Sequence, residues 1–502
     1  MTRKWLVVCM SATAGMGMPV LSADHGSVLL VADFQGGVES SLGGYFQCIG
    51  GAPTAVTDRI AAFGAPAVRS WRIDVQASAP SGGVGGVIPL FDNRPGVTPR
   101  PLDVSAVPHL LLRLLGEPGA RRVRVEVVHG PFDGLERVGT EIGRLAADDL
   151  SATSWSTHVF PLPPDVQGPP GVGAVRVLLE GPGAGWVAID QAAFGASSDA
   201  TAAPATPAPA AHPLRKAMWV WETARILPDP AEREALLAFC RRQGITDLFC
   251  QVPYDYQNDG IVLHHVAEQR QFNAAAHKAG VTVHALDGAP DFVFARNHAR
   301  LFKLLDALDG FNREGRPEGR YPAVHMDNEP YVLPEWKDPA ARRELLADFI
   351  TLNRELRRRC DAAGMVYGVD IPFWWDLCDA DGNAAFTVAG PKGDVPLLEA
   401  LFALVQNVGI MSYRERVTGV NGVVACCRTE FELGHRLGVP VFAAVELGTG
   451  PLVEKGITFG CYPRSYFAEQ LETLEYVLAQ TAGCAGLAIH AYKYYRTMEE
   501  NP

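Results

Sequence analysis

A chain of 502 residues is too long for one hydrophobic core, so two or three domains are the starting expectation. The composition, with 48% hydrophobic residues, is that of a soluble globular protein. The formal net charge of −12 argues against nucleic acid as a partner, because phosphate binding needs Lys and Arg clustered on one face. Beyond the first 23 residues, no segment has the roughly 18 consecutive apolar residues of a membrane span. These features exclude nucleic-acid-binding and membrane-spanning classes of protein.

The N-terminus has the order of features that marks an export signal. Arg3 and Lys4 precede an apolar stretch at 5–10, and Leu21-Ser22-Ala23 follows as a candidate cleavage site. This pattern predicts a signal peptide over residues 1–23. We therefore expect the mature protein to be secreted or periplasmic.

The cysteines and histidines do not show the spacing of a metal site. Ten cysteines are present, and loss of Cys9 with the signal would leave nine, so at least one thiol must stay unpaired in a monomer. We expect buried thiols with at most one or two disulfides. Five histidines of the C-terminal half show no His-x-His or His-Glu-x-x-His spacing: His264, His265, His284, His325 and His490. No metal and no cofactor are expected.

A Pro/Ala/Thr tract at 199–213 cannot form a core and is typical of a semi-extended linker. It separates a predicted domain at 24–198 from a second at 214–502. In the first domain, short alternating runs recur between Gly/Pro-rich turns, at 28–34, 70–75, 110–114, 122–128, 175–179 and 186–194. Many short strands with few helices predict a β-sandwich.

Two segments of this sandwich resemble the first and last strands of galactose-binding-like jelly rolls. They are Ala32-Asp33-Phe34 and the run from Trp186 to Phe194. The resemblance implies an accessory jelly roll of the galactose-binding type. A plain accessory sandwich without a sugar site is the alternative.

After the linker, apolar runs of four to seven residues alternate with amphipathic helical stretches, the pattern of repeated βα units. Eight strands are predicted at 217–221, 247–252, 282–286, 323–327, 366–370, 408–412, 439–445 and 486–490. Helices are predicted at 230–243, 296–308, 339–363, 396–406, 429–437 and 465–480. Eight such units in about 280 residues predict a closed (β/α)8 TIM barrel. A doubly wound open sheet is the alternative, disfavoured because no Gly-rich fingerprint follows the first strand.

In such barrels the chemistry lies at the C-terminal ends of the strands, where this chain carries many polar and aromatic residues. The candidates, in chain order, are Gln251, Asp287, Asp327, Asn328, Glu329, Tyr331, Asp370, Trp374, Trp375, Tyr413, Arg414, Glu446, His490 and Tyr492. A barrel that served only as a scaffold would not need them. They predict a substrate site.

Two of these residues form a candidate catalytic pair. Glycosidic bond cleavage needs one carboxylic acid that protonates the leaving oxygen and a second carboxylate that attacks carbon or activates water. Glu329 and Glu446 follow the fourth and seventh strands, which lie roughly across a barrel from one another. These two glutamates therefore predict glycosidase chemistry.

The segment from His325 to Tyr331 resembles the Asn-Glu-Pro segment of glycoside hydrolase clan A. That resemblance implies that Glu329 is the acid/base, that Asn328 binds the sugar 2-hydroxyl, and that Glu446 is the nucleophile oriented by Tyr413. The chain departs from clan A in having no recognisable aromatic platform motif after the eighth strand.

The pattern Asp327-x-Glu329, together with Met411-Ser-Tyr413, is also similar to chitinase-like barrels. That likeness implies that the substrate's acetamido group is the nucleophile, that Asp327 polarises it, and that Tyr413 steadies it. This sequence has only one Asp before the Glu, and Arg414 stands where an Asp commonly follows the tyrosine. Both resemblances assign the acid role to Glu329.

The aromatic candidates are suited to sugars, since sugar rings stack their C–H faces on aromatic rings. Tyr331, Trp374 and Trp375 are the expected platforms, joined by Asn328, Asp370, Asp287, Gln251, Arg414, His490 and Tyr492 as further substrate contacts. The leading hypothesis is a glycoside hydrolase that acts on an extracellular or cell-wall glycan. The alternatives are a chitinase-like hydrolase of N-acetylated glycans and a non-catalytic carbohydrate-binding or surface protein on a barrel scaffold.

Overall fold

The computed structural model describes residues 28–32, 45–49, 55–63, 68–90, 101–130, 139–195, 211–257, 260–379, 383–450, 453 and 456–500. The predicted signal peptide, residues 199–210 of the predicted linker, and Asp33 and Phe34 lie outside these residues. The chain divides into two compact units. The first comprises Met1–Ala211, Arg416–Ala425 and Tyr466–Gln480, and the second comprises His212–Glu415, Cys426–Ser465 and Thr481–Pro502.

The first unit contains two antiparallel sheets. Its elements are β1 (Val28–Ala32), β2 (Gln47–Ile49), β3 (Val56–Phe63), β4 (Val68–Val75), β5 (Val84–Pro89), β6 (His109–Glu117), β7 (Arg122–His129), β8 (Thr140–Leu145), β9 (Ser156–Pro161), α1 (Pro164–Gln167), β10 (Val172–Glu180) and β11 (Gly185–Gly195). One sheet has the order β3-β4-β11-β6-β9, with β1 also paired to β11, and the other has the order β2-β5-β10-β7-β8. The predicted antiparallel strands are confirmed, while the jelly-roll topology stays a prediction.

The two sheets of this unit pack through a large ring set against a residue with no side chain. Trp71 of β4 is fully buried, and a Cβ added to Gly86 of β5 would meet its ring and the Ile73 side chain at 2.5 Å. Phe46 stacks on the same indole with ring centroids 5.4 Å apart. Gly86 thus leaves the space that Trp71 fills.

The second unit is built on a further twelve strands. They are β12 (Arg215–Val220), β13 (Asp247–Gln251), β14 (Tyr254–Gln257), β15 (Gly260–Leu263), β16 (Thr282–Asp287), β17 (Ala323–Met326), β18 (Val366–Pro372), β19 (Thr387–Gly390), β20 (Gly393–Pro396), β21 (Asn407–Met411), β22 (Val441–Glu446) and β23 (Cys484–His490). Eight of them form a closed barrel in the order β12-β13-β16-β17-β18-β21-β22-β23. All its pairings are parallel, and β23 closes the ring against β12. The predicted TIM barrel is confirmed, and the open sheet is excluded.

The remaining helices are α2 (Thr223–Ile226), α3 (Pro230–Gln243), α4 (Val266–Lys278), α5 (His298–Glu314), α6 (Pro339–Ala363), α7 (Leu397–Phe402), α8 (Arg428–Leu437), α9 (Arg464–Leu478) and α10 (Tyr492–Glu500). Their ends follow local chemistry. The Asp338 side chain accepts hydrogen bonds from the backbone N–H groups of Ala340 and Ala341 at the start of α6. Gly364, at φ 67°, ends that helix in the left-handed conformation. None of the helices in the described ranges is both long and apolar enough to span a membrane.

The barrel interior mixes an apolar cluster with a buried polar core. Ala217, Trp219, Phe249, Leu286, Phe442, Ala444 and Ala488 form the apolar cluster. Asp370, only 1% exposed, accepts a hydrogen bond from Trp219 Nε1 at 3.1 Å and lies 2.8 Å from His325 Nε2. These bonds hold a carboxylate in the centre of the barrel.

A second buried carboxylate, that of Asp247, lies at the N-terminal end of the second barrel strand. Asp247 is 3.0 Å from His284 Nε2 and accepts a hydrogen bond from Arg215 Nε at 3.0 Å. Burial acts to raise the pKa of Asp247, but the hydrogen bonds from His284 and Arg215 lower it to about 2. This ionised group therefore ties the first three barrel strands together.

Gly409 of β21 makes room for Asp370, and its replacement tests that role. A Cβ at position 409 would lie 2.1 Å from Asp370 Oδ1, whereas a Cβ at Gly310 in α5 would meet nothing within 4 Å. We expect Gly409→Ala to lower the free energy of unfolding by about 1–3 kcal/mol through overpacking. Gly310→Ala should raise it by about 0.5–1 kcal/mol through lower backbone entropy in the unfolded chain. Thermal unfolding by calorimetry compares the two. Equal shifts for both variants would contradict the assigned role of Gly409.

Candidate active site

The third and fourth barrel strands meet closely at their C-terminal ends. Asp327 N–H donates to the Asp287 carbonyl at 2.9 Å, and Asn328 Oδ1 accepts a hydrogen bond from Ala289 N–H at 3.3 Å. A Cβ on Gly288 would lie 2.0 Å from the Asp327 carbonyl oxygen. This close approach fixes the backbone from which Asp327, Asn328 and Glu329 project.

Glu329 is held by a tyrosine two residues away. The Tyr331 hydroxyl donates a hydrogen bond to Glu329 Oε1. Burial and then the negative charge of Glu329 raise the pKa of Tyr331 well above its usual value. Tyr331 therefore remains protonated and donates to one oxygen of Glu329.

Asp327 lies close to two other carboxylate groups, those of Asp370 and Glu329. Its Oδ1 is buried and has no hydrogen-bond partner among the described residues. Burial, followed by the negative charges of Asp370 and Glu329, raises the pKa of Asp327 well above its usual value. Burial and the charges of Asp370 and Glu329 therefore make Asp327 harder to ionise than an ordinary aspartate.

Glu446, at the end of the seventh barrel strand, is held on both carboxylate oxygens. It is 7% exposed, its Oε1 accepts a hydrogen bond from Gly448 N–H, and its Oε2 lies 2.7 Å from His490 Nδ1. The other ring nitrogen of His490 lies 2.9 Å from Trp221 Nε1. Two neighbouring strands and the loop after β22 thus fix one orientation of Glu446.

Tyr413 lies within the electrostatic reach of three carboxylate groups, those of Glu446, Asp327 and Asp370. Burial raises the pKa of Tyr413 well above its usual value, and the negative charges of Glu446, Asp327 and Asp370 add to the shift. Its ring is 5.9 Å from that of His490, centroid to centroid. Within the described part of the chain, no hydrogen bond joins the Tyr413 hydroxyl to Glu446, so the orienting contacts on Glu446 come from His490 and Gly448 instead.

A cluster of aromatic rings adjoins Glu329 through Tyr331. Trp374 is half-buried and meets Tyr331 edge to face, with ring centroids 5.3 Å apart. Trp336, also half-buried, lies 5.9 Å from Trp374. Trp375 is 2% exposed and stacks under Trp336 at 6.4 Å. Trp374 and Trp336 therefore keep exposed ring surface, whereas Trp375 packs beneath them.

Other predicted contacts lie around this mouth in supporting positions. Asp287 accepts a hydrogen bond from the Tyr254 hydroxyl at 2.8 Å, and burial raises the pKa of Asp287. The Gln251 carbonyl accepts a hydrogen bond from the Thr223 hydroxyl. Arg414 donates to the Tyr413 carbonyl at 2.7 Å, and its guanidinium lies 4.2 Å from the Phe373 ring centroid.

Tyr492 takes a position that does not support contact with a substrate. It is the first residue of α10, and its buried ring packs edge-on against Phe239 of α3, with centroids 5.3 Å apart. Its hydroxyl accepts a hydrogen bond from Arg496 at 3.4 Å. Tyr492 thus belongs to the helix layer, because the chain turns from strand into helix just after His490.

Trp221 and Gly448 are site residues that the sequence analysis missed. The run Met218-Trp219-Val220-Trp221 alternates at the end of the first barrel strand, which sends both indoles to one face of the strand. That alternation was the available signal for Trp221. Gly448 contributes a backbone N–H, which no side-chain pattern reports.

Metal sites and disulfides both require a specific arrangement of side chains. Among the described residues, no group of three or more His, Cys, Asp or Glu side chains is arranged to hold a metal ion. The nine cysteines in the described ranges are all free thiols, and burial raises the pKa of several of them, including Cys427.

No family model matches this chain, and no curated protein matches it. Among solved structures, the chain is similar to the CBM22-1–GH10 modules of an endo-1,4-β-D-xylanase from Clostridium thermocellum in complex with xylohexaose. The identity is 11% and the TM-score 0.33, over 92% of this chain and 90% of that one. A chitinase from Chromobacterium violaceum is 12% identical with a TM-score of 0.35, over 57% of this chain and 98% of that one.

The glycoside hydrolase domain of PgaB from Bordetella bronchiseptica is 11% identical with a TM-score of 0.36, over 57% of this chain and 97% of that one. At such low TM-scores these likenesses define neither the fold nor the activity of this chain. The closed barrel is established by its own strand pairing.

The raised pKa of Asp327 predicts a specific dependence of stability on pH. The unfolded chain releases the Asp327 proton at the ordinary value, whereas the folded chain retains it to higher pH. Between those two values, wild-type stability should fall as pH rises, by up to about 1.4 kcal/mol per pH unit, relative to Asp327→Asn. Denaturant unfolding from about pH 4 upward measures the difference. The exposed Asp361→Asn is the matched control. A difference between Asp327→Asn and wild type that stays constant with pH would show that Asp327 does not retain its proton on folding.

Proposed function

We propose that the second unit is a glycoside hydrolase, with Glu329 as the general acid and Glu446 as the second carboxylate. The observation that carries this proposal is the position of Tyr413. Its ring lies 5.9 Å from that of His490, the hydrogen-bond partner of Glu446, and its pKa is raised by burial and then by Glu446 and by Asp327, two residues from Glu329. Two carboxylate groups from the fourth and seventh strands thus act on one hydroxyl at the same mouth of the barrel. Glycosidic bond hydrolysis requires such a pair.

The contacts of Glu329 suit a proton donor. Tyr331 donates to Oε1, so Oε2 is the atom that carries a proton toward the leaving oxygen. Once the proton has left, the same tyrosine hydroxyl stabilises the carboxylate that remains. The aromatic rings beside Tyr331 exclude water from that side of Glu329.

The contacts of Glu446 suit a nucleophile. A carboxylate oxygen has two lone-pair sites, so each oxygen of Glu446 that accepts one hydrogen bond keeps a second site. Its fixed orientation lowers the entropy cost of attack on an anomeric carbon. The covalent intermediate is then hydrolysed by water that Glu329 activates as a base.

The substrate class we propose is a neutral polysaccharide or oligosaccharide outside the cytoplasm. Trp374 and Trp336 offer half-exposed rings beside the acid, which is where a sugar ring would stack. The extracellular location rests on the predicted signal peptide at 1–23. The first unit would act as an accessory module.

Replacement of the two glutamates tests this assignment. On a polysaccharide, we expect Glu329→Gln and Glu446→Gln each to lower kcat by two or more orders of magnitude, roughly the contribution of acid–base or nucleophilic catalysis. On an activated aryl glycoside, which needs no protonation, Glu329→Gln should lose much less than Glu446→Gln. Reducing-sugar release and chromogenic assays measure the two activities.

The matched control is Glu335→Gln, an exposed glutamate six residues beyond the acid, which should keep full activity. Equal losses for Glu329→Gln on both substrates would remove it as the acid. Glycan binding without any hydrolysis by the wild type would support a non-catalytic carbohydrate-binding protein instead.

A second candidate, substrate-assisted hydrolysis of N-acetylated glycans, is favoured by Asp327. The buried Oδ1 atom of Asp327 lacks a hydrogen-bond partner among the described residues. Asp327 itself precedes Glu329 by two residues. An acetamido N–H would satisfy that oxygen, and the acetamido carbonyl would then attack the anomeric carbon in place of Glu446. Glu329 remains the acid in this scheme.

Two variants separate the schemes. If the acetamido group is the nucleophile, Asp327→Asn should lower kcat on N-acetylglucosaminides by orders of magnitude, and Glu446→Gln should have a small effect. If Glu446 is the nucleophile, the order reverses and glycosides without an acetamido group are cleaved. Kinetics of both variants on paired acetylated and non-acetylated aryl glycosides decide between them.

A further inference from the structure

We propose that Trp221 is a positioning residue that keeps His490 in one neutral tautomer, in which His490 donates a hydrogen bond to Glu446. This inference rests on the proposed function only for the role of Glu446. It concerns a residue directly after the first barrel strand, which acts on Glu446 of the seventh strand through His490 of the eighth. The inference rests on the hydrogen-bonded series of Trp221, His490 and Glu446.

The tautomer follows from the donor inventory. Trp221 Nε1 lies 2.9 Å from His490 Nε2, and His490 Nδ1 lies 2.7 Å from Glu446 Oε2. An indole nitrogen can only donate, so His490 Nε2 must accept and cannot carry a hydrogen in this arrangement. The ring hydrogen is therefore on Nδ1, from which it is donated to Glu446.

The same contact opposes a positive charge on His490. An imidazolium carries hydrogen on both nitrogens, and a hydrogen on Nε2 would point at the Trp221 N–H. Protonation would therefore break the indole bond and leave a partly buried donor unpaired. An imidazolium would also form an ion pair with Glu446 and make it a weaker nucleophile.

The groups that face His490 favour the opposite outcome. Glu446 on β22 and Tyr413 after β21 face the ring directly, and Asp327 and Asp370 are further charges that act on Tyr413. The Trp219 ring meets His490 edge to face at 5.6 Å and carries no charge. The Trp221 N–H is the contact that opposes a hydrogen on His490 Nε2.

Trp221→Phe removes the donor and keeps an aromatic ring. We expect His490 in the variant to become a mixture of tautomers or an imidazolium at neutral pH, whereas the wild type has the Nδ1–H form. Long-range ¹H–¹⁵N NMR of histidine-labelled full-length protein reads the tautomer, with His490→Gln as the assignment control. Trp186→Phe, a half-buried tryptophan of the first unit, is the matched substitution and should leave the spectrum unchanged.

Activity supplies the second readout. On an activated glycoside, Trp221→Phe should lower kcat by about 10–100-fold, with little change in KM. Losses of that size are usual when a residue that orients a metal-ligating histidine is removed, and we expect a similar effect here. The acid limb of its pH–rate profile should move to higher pH, because His490 must lose its second proton before Glu446 is fully nucleophilic. A merely structural role for Trp221 would leave the position of that limb unchanged.

An Nε2–H tautomer of His490 in the wild type would overturn the proposal, even if the variant fails to fold. The same tautomer and pH profile in wild type and Trp221→Phe would also overturn it. A wild type without hydrolytic activity would remove the proposed function but not the tautomer result, so the two failures are distinguishable.

Discussion

The buried carboxylate of Asp370 is the constraint on which the barrel interior depends. It is held by Trp219 and His325, and Gly409 supplies the space that its side chain occupies. Its charge reaches the mouth of the barrel, where it contributes to the raised pKa of Asp327. Asp370, which is buried inside the barrel, thus makes Asp327 at the mouth harder to ionise. The packing of the barrel interior therefore influences the acid–base state of the candidate site.

The barrel could be predicted because local and global signals agree in its sequence. Each of the eight predicted strands begins and ends within two residues of the observed strand. Helices α3 and α6 begin and end where Asp, Pro and Gly signals place them. The first unit was harder to predict. The strand Val84–Pro89 contains two glycines and lacks an alternating pattern, so the sequence does not mark it as a strand. In the fold it pairs with β2 and β10, and the Trp71 ring covers Gly86.

The candidate site could be predicted only as far as the rule about strand ends reaches. That rule identifies Glu329, Glu446 and His490, because each stands where an apolar run stops. It fails for Tyr492, where the chain has already entered a helix, and for the contact between Trp221 and His490, which are 269 residues apart. Long-range hydrogen bonds that choose a tautomer leave no periodic trace in a sequence, so the carboxylates could be predicted and the groups that orient them could not.

The pairing of β12 with β23 has a consequence for how a site of this kind comes into being. These two strands are the first and last of the barrel. His490 at the end of β23 bonds to Glu446, and Trp221, directly after β12, bonds to His490. Glu446 therefore gains its full set of contacts only when the ends of the barrel domain have met. During synthesis, a chain that has completed seven strands would contain Glu446 without the imidazole of His490. Closure of the barrel is therefore also the step that completes the contacts of Glu446.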